Sequence, residues 1–295
     1  MDETTARTIP LPIQREVRRR CGFGCVVCGL PLYEYDHLYD FTVKKSHRPE
    51  EIALLCDLHH REKTSTLLPL EDVLAANQSP FNLREGVSKP YDLHFTGDEC
   101  EAVIGSNRFL ARDEGYGTQV VPISVDDTPL LGFILADGHL LLNLNVFDDC
   151  NALVLRIVNN VLAYSVSPWD IQFVGRRLII REAARQILID ILFEPPNRII
   201  VRRGRFLRNG VEVLVTPDYL LVTNNNLMFA KCEVAGGNYG LMVGPHKQEP
   251  SCAVRVASVP RYLGDRAASK KWADEAFSEA ETLLRWQEGL TSRCT

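Results

Sequence analysis

The chain has 295 residues, of which 45% are hydrophobic, and a formal net charge of −5. This length and apolar content can bury the core of one large domain or two, and the acidic balance excludes a uniformly basic coat protein for nucleic acid. Any contact with nucleic acid must therefore come from local basic patches. The sequence has no run of 18 apolar residues and no apolar stretch at its start, which predicts a cytoplasmic protein without a membrane partner.

The first predicted element is a short helix that begins near Pro12 and ends at Gly22. Ile13 and Val17 lie four residues apart and share one apolar face of this helix. The rest of its surface is basic, which leaves two interpretations open: a solvated face, or a surface along nucleic-acid phosphates. The candidate nucleic-acid-binding residues here are Arg15, Arg18, Arg19 and Arg20.

Two pairs of metal-ligand residues follow the helix. Cys25-Val-Val-Cys28-Gly29 has the spacing of a zinc knuckle, in which two thiolates reach one ion and the glycine lets the turn close. The second pair, Cys56 and His59, has the same internal spacing and is separated from the first pair by 27 residues. Because a cytoplasmic chain keeps its thiols reduced, we interpret these cysteines as ligands rather than as disulfides. The four residues predict one closed, structural Cys3His zinc site, and the alternative is that the first two cysteines are ordinary buried thiols.

A second constellation lies between and just after the zinc pairs. Asp36-His37 ends a short strand-like stretch, and His60-Arg-Glu-Lys63 stands at the start of a predicted helix. With the zinc pairs, this order resembles the HNH endonucleases, whose ββα-metal module has a hairpin ending in an acidic residue or histidine followed by histidine. A loop, an Asn-x-x-x-x-Cys stretch and a helix starting Cys-x-x-(Cys/His)-His-x-x-Lys complete the family pattern. The resemblance covers about residues 15–66 and does not extend to the rest of the chain.

The resemblance implies a role for each matching residue. His37 would be the general base, since an imidazole with a pKa of about 6.5 can take a proton from water at neutral pH. Asp36 and His60 would hold one catalytic divalent cation, and Mg²⁺, Mn²⁺ or Ni²⁺ suits an oxygen and an imidazole with open positions beside them. Arg61 and Lys63, on the same helix, would neutralise neighbouring phosphates. The implied activity is hydrolysis of phosphodiester bonds, with double-stranded DNA as the expected partner.

One position departs from the family pattern. Glu51 stands five residues before the helix cysteine, where the family has an asparagine that commonly ties down the loop and orients the base histidine. A carboxylate can accept hydrogen bonds there, and could approach the metal, but it cannot supply the amide donor. Glu51 therefore remains a candidate catalytic residue. The departure also keeps an alternative open, a zinc-containing DNA-binding protein that has lost catalysis. His47, in the loop before Glu51, is interpreted either as a solvated histidine or as a phosphate or metal contact.

The rest of the sequence has a different pattern. Residues 78–94 are rich in Asn, Ser, Pro and Gly and predict a linker. From about 95 to 260, short β-branched and apolar runs are separated by turn pairs such as Asp137-Gly138 and Asn209-Gly210, which predicts an all-β domain, a sandwich or a curled sheet. Tandem asparagines leave a β-solenoid as a weaker alternative. An apolar stripe within 268–290 predicts a C-terminal helix, over 261–295, that packs on the core.

The predicted fold class is therefore α+β. An N-terminal ββα-metal (HNH) zinc module over 1–77 precedes the linker, a mainly antiparallel all-β domain and the C-terminal helix. The expected function is that of a metal-dependent HNH endonuclease, similar in layout to bacterial restriction or anti-phage defence effectors. The β domain would supply target choice, sensing or oligomerisation, and whether the chain forms a homo-oligomer stays open.

Overall fold

The computed structural model of the protein describes residues 8–39, 41–44, 46–236, 238–248 and 250–261. Within these residues the structure is mixed α and β, as predicted, and strands far outnumber helices. The chain forms two compact units. The first unit contains the residues up to Asp92 together with Val161–Leu188, and the second contains Leu93–Asn160 and the residues from Ile189 onwards. The helix predicted over 261–295 lies, apart from Arg261, outside the described residues.

The described helices all come early in the chain, and strands make up most of the regular structure after them. The helices are α1 (Leu11–Arg20), α2 (Phe41–Lys44), α3 (Asp57–Thr64), α4 (Leu70–Gln78) and α5 (Phe81–Glu85), with a 3-10 helix over Pro49–Glu51. The strands are β1 (Glu34–His37), β2 (Ile52–Leu55), β3 (Tyr91–Asp92), β4 (Glu99–Ile104), β5 (Asn107–Arg112), β6 (Thr118–Val125), β7 (Thr128–Ala136), β8 (His139–Phe147), β9 (Leu153–Val158), β10 (Val161–Tyr164), β11 (Asp170–Val174), β12 (Arg177–Ala183), β13 (Gln186–Glu194), β14 (Arg198–Arg208), β15 (Val211–Val215), β16 (Leu220–Val222), β17 (Leu227–Phe229), β18 (Glu233–Ala235), β19 (Tyr239–Val243) and β20 (Cys252–Val256). Across the described part of the chain, no helix has the length and apolar character needed to cross a membrane.

A hairpin followed by a helix lies within the first unit. Strands β1 and β2 pair antiparallel, with Glu34 opposite Leu55 and His37 opposite Ile52. Every residue of β2 is buried, because its sequence Ile-Ala-Leu-Leu is apolar on both faces of the strand. Helix α3 begins directly after β2, at Asp57, and contacts both strands. The polar residues of β1 are therefore held close to the start of α3.

Helix α1 and the later segment Val161–Leu188 complete this unit. Helix α1 packs on β2 and on β11. The buried side chain of Arg18 binds both carboxylate oxygens of Asp170, at 2.9 and 2.8 Å. Tyr164 donates a hydrogen bond of 2.5 Å to the carbonyl oxygen of Phe23. Residues 161–188 thus belong to the first unit, an association that the local sequence pattern did not predict.

The segment predicted as a linker, 78–94, is structured. It contains α5 and β3, and Asn82 within it is fully buried. The Asn82 side chain donates a hydrogen bond of 2.9 Å to the carbonyl oxygen of Gly22. A Cβ atom on Gly29 would lie only 2.2 Å from Asn82 Oδ1, so this close approach, with a φ of 78°, requires glycine. The polar residues that suggested a linker serve here as hydrogen-bond partners for buried backbone.

The strands of the second unit form two sheets. In one sheet, β20, β19, β6, β7, β8 and β9 lie side by side in this order. In the other, β13 to β17 are neighbours in chain order, and β4, β5 and β18 extend from β14. Strand β8 of one sheet contacts β14 of the other, and both carry fully buried side chains such as Leu142 and Phe206. Many neighbouring strands pair antiparallel, but parallel pairing joins β4 to β14, β5 to β18, β6 to β19 and β19 to β20.

Two of the predicted turn pairs form tight hairpins. Asp137-Gly138 connects β7 to β8, and Asn209-Gly210 connects β14 to β15. All four turn residues have positive φ, between 49° and 73°. Two-residue turns of this kind need positive φ at both positions, which Asn, Asp and Gly adopt most readily. The local sequence therefore predicts where these strands reverse.

Candidate metal centre and active site

The predicted zinc ligands come together in the first unit. The ligand atoms of Cys25, Cys28, Cys56 and His59 all lie within 4.8 Å of one another. The Sγ atoms of Cys28 and Cys56 are 3.8 Å apart. His59 Nδ1 lies 3.3 Å from Cys25 Sγ and 3.2 Å from Cys56 Sγ. A zinc ion with bonds of about 2.0–2.3 Å places tetrahedral ligand atoms about 3.3–3.8 Å apart, so the cluster fits a metal ion such as zinc.

Local structure on either side of the hairpin holds these side chains. The carbonyl oxygen of Cys25 accepts a hydrogen bond of 2.7 Å from the Gly29 amide, and the Cys25 amide donates one of 2.9 Å to Leu30, which closes the knuckle turn. Cys56 is the residue before α3, and His59 lies in the first turn of that helix. Formation of the helix therefore sets the distance between these two ligands.

Crowding of the thiols shifts their pKa values in opposite directions. A hydrogen bond with Cys28, together with burial, raises the pKa of the Cys25 thiol to about 12. The same hydrogen bond lowers the pKa of Cys28, whereas burial raises the pKa of Cys56. These pKa shifts describe the metal-free cluster, in which the thiols are hydrogen-bonded to one another. Zinc binds thiolates, so a bound ion would displace the thiol protons. Three thiolates and an imidazole suit a closed structural site.

Beside this cluster, His60 lies between two carboxylates. Its Nε2 atom is 3.3 Å from Asp36 Oδ1, and its Nδ1 atom is 3.4 Å from Glu34 Oε2. Glu34 and Asp36 are two residues apart on β1 and therefore project from the same face of the strand. With a cation between Asp36 and Nε2, Glu34 would accept a hydrogen bond from the proton on Nδ1 and so orient the ring. Asp36 and His60 could hold one divalent cation, with Glu34 as an orienting partner that the sequence did not single out.

Lys63, which was expected to neutralise a neighbouring phosphate, is bonded to groups within the site. Its ammonium group binds Asp36 Oδ2 and donates a hydrogen bond of 2.8 Å to the carbonyl oxygen of His37. The side chain is only 16% exposed, so it points into the site. Because the ammonium group takes Oδ2, Asp36 presents Oδ1 to His60. Lys63 therefore positions Asp36, the predicted metal ligand, and the backbone of His37, the predicted base. Its side chain points inward because it binds Asp36.

His37 lies at the end of β1 in a group of three aromatic rings. Its Nε2 atom is 3.3 Å from Nδ1 of His47. The ring of Phe41 lies 4.7 Å from that of His37 and is stacked at 4.8 Å on that of His47. The sequence left two interpretations of His47 open, a solvated histidine or a phosphate or metal contact. The structure places its ring against the predicted base. A second histidine ten residues after the first, across a short loop, is the signal that could have indicated this pairing.

Glu51 ends the 3-10 helix just before β2. Lys44 Nζ lies 2.6 Å from Glu51 Oε1, and this hydrogen bond lowers the pKa of the Glu51 carboxyl below its ordinary value. The backbone carbonyl of Glu51 accepts a hydrogen bond of 2.9 Å from the Leu38 amide. These contacts close the base of the loop between the two strands. Glu51 therefore holds the loop, which is one of the two roles of the family asparagine.

Two of the predicted phosphate-binding arginines are structural. Arg18 is 5% exposed and is bound to Asp170, so it is not available to DNA. Arg20 donates hydrogen bonds to the carbonyl oxygens of Pro49, at 2.8 Å, and Ile52, at 2.5 Å. These bonds tie α1 to the start of β2. The sequence could not separate these arginines from exposed ones, because their partners lie far along the chain.

The other candidate arginines remain accessible to different degrees. Arg15 lies over the ring of Trp169, at 4.3 Å from its centre. Arg19 is 63% exposed and forms a surface ion pair with Glu16. Arg61 is exposed on α3, the helix that also carries His60, the predicted ligand of the catalytic cation. A phosphate surface in this unit would therefore use Arg15, Arg19 and Arg61.

No protein-family model, curated protein or solved structure matches the chain. The resemblance to HNH endonucleases therefore depends on the residue pattern alone. The geometry of β1, β2 and α3 provides a separate observation on the same residues.

Proposed function

We propose that the protein is a metal-dependent endonuclease of the HNH type that hydrolyses phosphodiester bonds in double-stranded DNA. The observation that supports this most directly is the pairing of Asp36 Oδ1 with His60 Nε2 at 3.3 Å, with His37 next on the same strand. Helix α3 carries His60 immediately after His59 of the Cys3His cluster. A structural zinc ion in that cluster would therefore fix the position of the catalytic metal ligand.

In this proposal His37 acts as the general base. Its imidazole takes a proton from water while the water oxygen forms a bond to the phosphorus atom. The bond from phosphorus to the 3′ oxygen breaks, and that oxygen takes a proton from solvent. A Mg²⁺, Mn²⁺ or Ni²⁺ ion held by Asp36 and His60 would stabilise negative charge on the phosphate and on the leaving oxygen. Lys63 keeps Asp36 and the His37 backbone in place, and Arg61 would contact a neighbouring phosphate.

The second unit would supply target choice, sensing or assembly of identical chains. An HNH module joined to an unrelated β unit is similar in layout to restriction and anti-phage effectors of bacteria, and this part of the proposal depends on layout alone.

A second candidate function is a zinc-containing DNA-binding protein that does not cut. Two contacts favour it. Lys44 engages the carboxylate of Glu51, and the ammonium group of Lys63 occupies one oxygen of Asp36, where it would oppose a nearby divalent cation. This candidate predicts binding of DNA without metal-dependent cleavage.

The deciding experiment is a plasmid-cleavage assay with Mg²⁺, Mn²⁺, Ni²⁺ or Zn²⁺. We expect the wild-type protein to nick or linearise the plasmid with at least one of these ions. His37→Ala should cut about 10²- to 10⁴-fold more slowly and keep its zinc content, because His37 is outside the Cys3His cluster. The exposed His94 in the second unit provides a control, and His94→Ala should cut like wild type.

Asp36→Ala and His60→Ala should lose activity in a different way from His37→Ala. Both remove a ligand of the catalytic cation, so a higher metal concentration should restore part of the rate, whereas it should not help His37→Ala. Equal cutting by wild type and His37→Ala would refute the proposed mechanism. DNA binding with no cleavage under any of the four metals would establish the second candidate.

A further inference from the structure

An apolar cavity lies within the second unit, between strands of its two sheets. Its volume is about 240 Å³, and β19 and β20 form one side of it. The other side comes from β5, β16, β17 and β18. Apolar side chains make up most of the wall, and they include Phe109, Leu220, Phe229, Val234, Leu241 and Val254. Because a dry cavity of about 150 Å³ in a protein can hold benzene, this cavity has room for a larger, fused-ring molecule.

The polar groups in the wall are engaged with other groups of the protein. Asn107 is buried, and its Nδ2 donates a hydrogen bond of 3.2 Å to the carbonyl oxygen of Phe229. Its Oδ1 accepts one of 3.1 Å from the Cys232 amide. Glu233 is the charged residue of the wall, and Arg108 lies 2.7 Å from its Oε2. Water in the cavity would find few partners, so an apolar molecule that displaces this water gains affinity.

The wall combines a fixed apolar surface with an opening. A Cβ atom on Gly240 would clash with Phe109 Cε1, so the glycine lets this ring lie against the backbone of β19. Leu220 and Leu241 are almost fully buried beside it. Ala253 lines the same cavity but is exposed, which places it where the cavity opens to solvent.

We propose that this cavity binds a neutral, apolar or aromatic molecule of about ten non-hydrogen atoms. The volume sets the size of the ligand, and the lining sets its apolar character. Lys and Arg are absent from the described residues that line the cavity, so a carboxylate there would be desolvated without a partner. The inference is independent of the proposed nuclease activity, and it gives the second unit a specific site for the sensing role.

Indole is a suitable probe, because it is a neutral, fused-ring aromatic compound. Isothermal titration calorimetry on the full chain should show one indole bound per chain, with a Kd of about 10 µM to 1 mM for a ligand of this size. Indole-3-carboxylate carries a charge on the same rings and should bind at least about tenfold more weakly. No saturable binding of indole, or equal binding of the two compounds, would overturn the proposal.

A substitution at the opening tests where indole binds. Ala253→Phe places a ring in the space of the ligand and should weaken binding at least about tenfold. Ala75, exposed on α4 in the first unit, provides the matched control Ala75→Phe, which should bind like wild type. Circular dichroism of each full-length variant establishes that the fold is kept. Equal binding by wild type and Ala253→Phe would overturn the assignment to this cavity.

A second measurement locates indole in the wild-type protein without any variant. With ¹³C-methyl-labelled leucine and valine, nuclear Overhauser effects from indole should reach Val234, Leu241 and Val254 and should not reach Leu55, which is buried in the first unit. Effects confined to other methyl groups would overturn the proposal. A second copy of the chain seated in the cavity would instead appear by light scattering as a dimer that Ala253→Phe dissociates, and that result would also overturn it.

Discussion

At the scale of single residues, the Cys3His cluster is the group in the first unit that could hold a metal ion. Cys25, Cys28, Cys56 and His59 come from both sides of the hairpin, so a metal ion among them would join the knuckle turn to α3. Structural zinc supplies folding free energy to small modules of this kind.

Cys25→Ser should remove most of the bound zinc, from one ion per chain to nearly none. A serine hydroxyl is not a thiolate, and three remaining ligands leave the ion exposed to exchange with solvent. The hairpin and α3 should then lose structure. Elemental analysis and thermal circular dichroism measure both effects. The exposed Cys232 gives the control Cys232→Ser, which should keep its zinc. Folded, active protein without zinc would contradict this prediction.

The pair of Lys44 and Glu51 makes a second prediction at this scale. The hydrogen bond from Lys44 lowers the pKa of Glu51 below its ordinary value of 4.5. A lowered pKa in the folded state means that the contribution of this carboxylate to stability is present above pH 4.5 and is lost as the pH falls through the folded pKa. In an NMR titration, the midpoint for Glu51 should lie below 4.5 in wild type and move upward in Lys44→Met. Identical midpoints in the two proteins would show that Lys44 does not act on this group.

At the scale of elements, one buried ion pair joins α1 to β11. Arg18 and Asp170 have side chains that are 5% and 4% exposed, and they are separated by 152 residues along the chain. A buried guanidinium is tolerated only while its carboxylate partner and hydrogen bonds remain. Arg20 adds a second tie between α1 and the hairpin through backbone carbonyl oxygens.

Asp170→Asn should destabilise the protein by about 3–5 kcal/mol, because it leaves the charge of Arg18 buried without its partner. Urea denaturation of the full-length protein measures the change. Arg19→Ala is the matched control from the same helix, since the exposed pair of Arg19 with Glu16 should contribute no more than about 1 kcal/mol. A loss of stability in Asp170→Asn no greater than in Arg19→Ala would mean that the buried pair does not hold α1.

At the scale of the whole molecule, both units have a buried apolar core, and the first unit also contains the Cys3His cluster. The first unit contains short helices and strands around the Cys3His cluster, whereas the second has extended sheets whose strands β6 to β8 are largely buried and apolar. Burial of apolar surface stabilises these sheets.

Removal of zinc with a chelator should therefore affect the two units differently. Hydrogen exchange should become faster for the amides of β1, β2 and α3, and should stay slow in β6, β7 and β8. Mass-spectrometric hydrogen exchange on the full chain, with and without chelator, measures this, and re-addition of zinc should reverse it. Equal acceleration in both units would show that they do not unfold separately.

Several features follow from the sequence by itself. The approach of Cys56 to His59 depends on a single helical turn. The knuckle at Cys25 and Cys28 is closed by Gly29, the next residue, which has positive φ, so spacing predicts both. The reversals at Asp137-Gly138 and Asn209-Gly210 likewise follow from residues that tolerate positive φ. Contacts within a few residues are encoded locally, and local patterns therefore predict them.

Only the tertiary structure decided which polar side chains face solvent. The local sequence does not distinguish Arg18 from its neighbour Arg19. Arg18 is buried because its partner is Asp170, far along the chain, whereas Arg19 is exposed beside Glu16. Lys63 turned inward because Asp36 lies across from it on β1, and His47 met His37 because the closed loop brings the two rings together. The physical reason is the same in each case. A charged or hydrogen-bonding side chain takes its orientation from whichever partner the fold brings within about 3 Å, and neither the residue type nor the local spacing specifies a partner on a distant element.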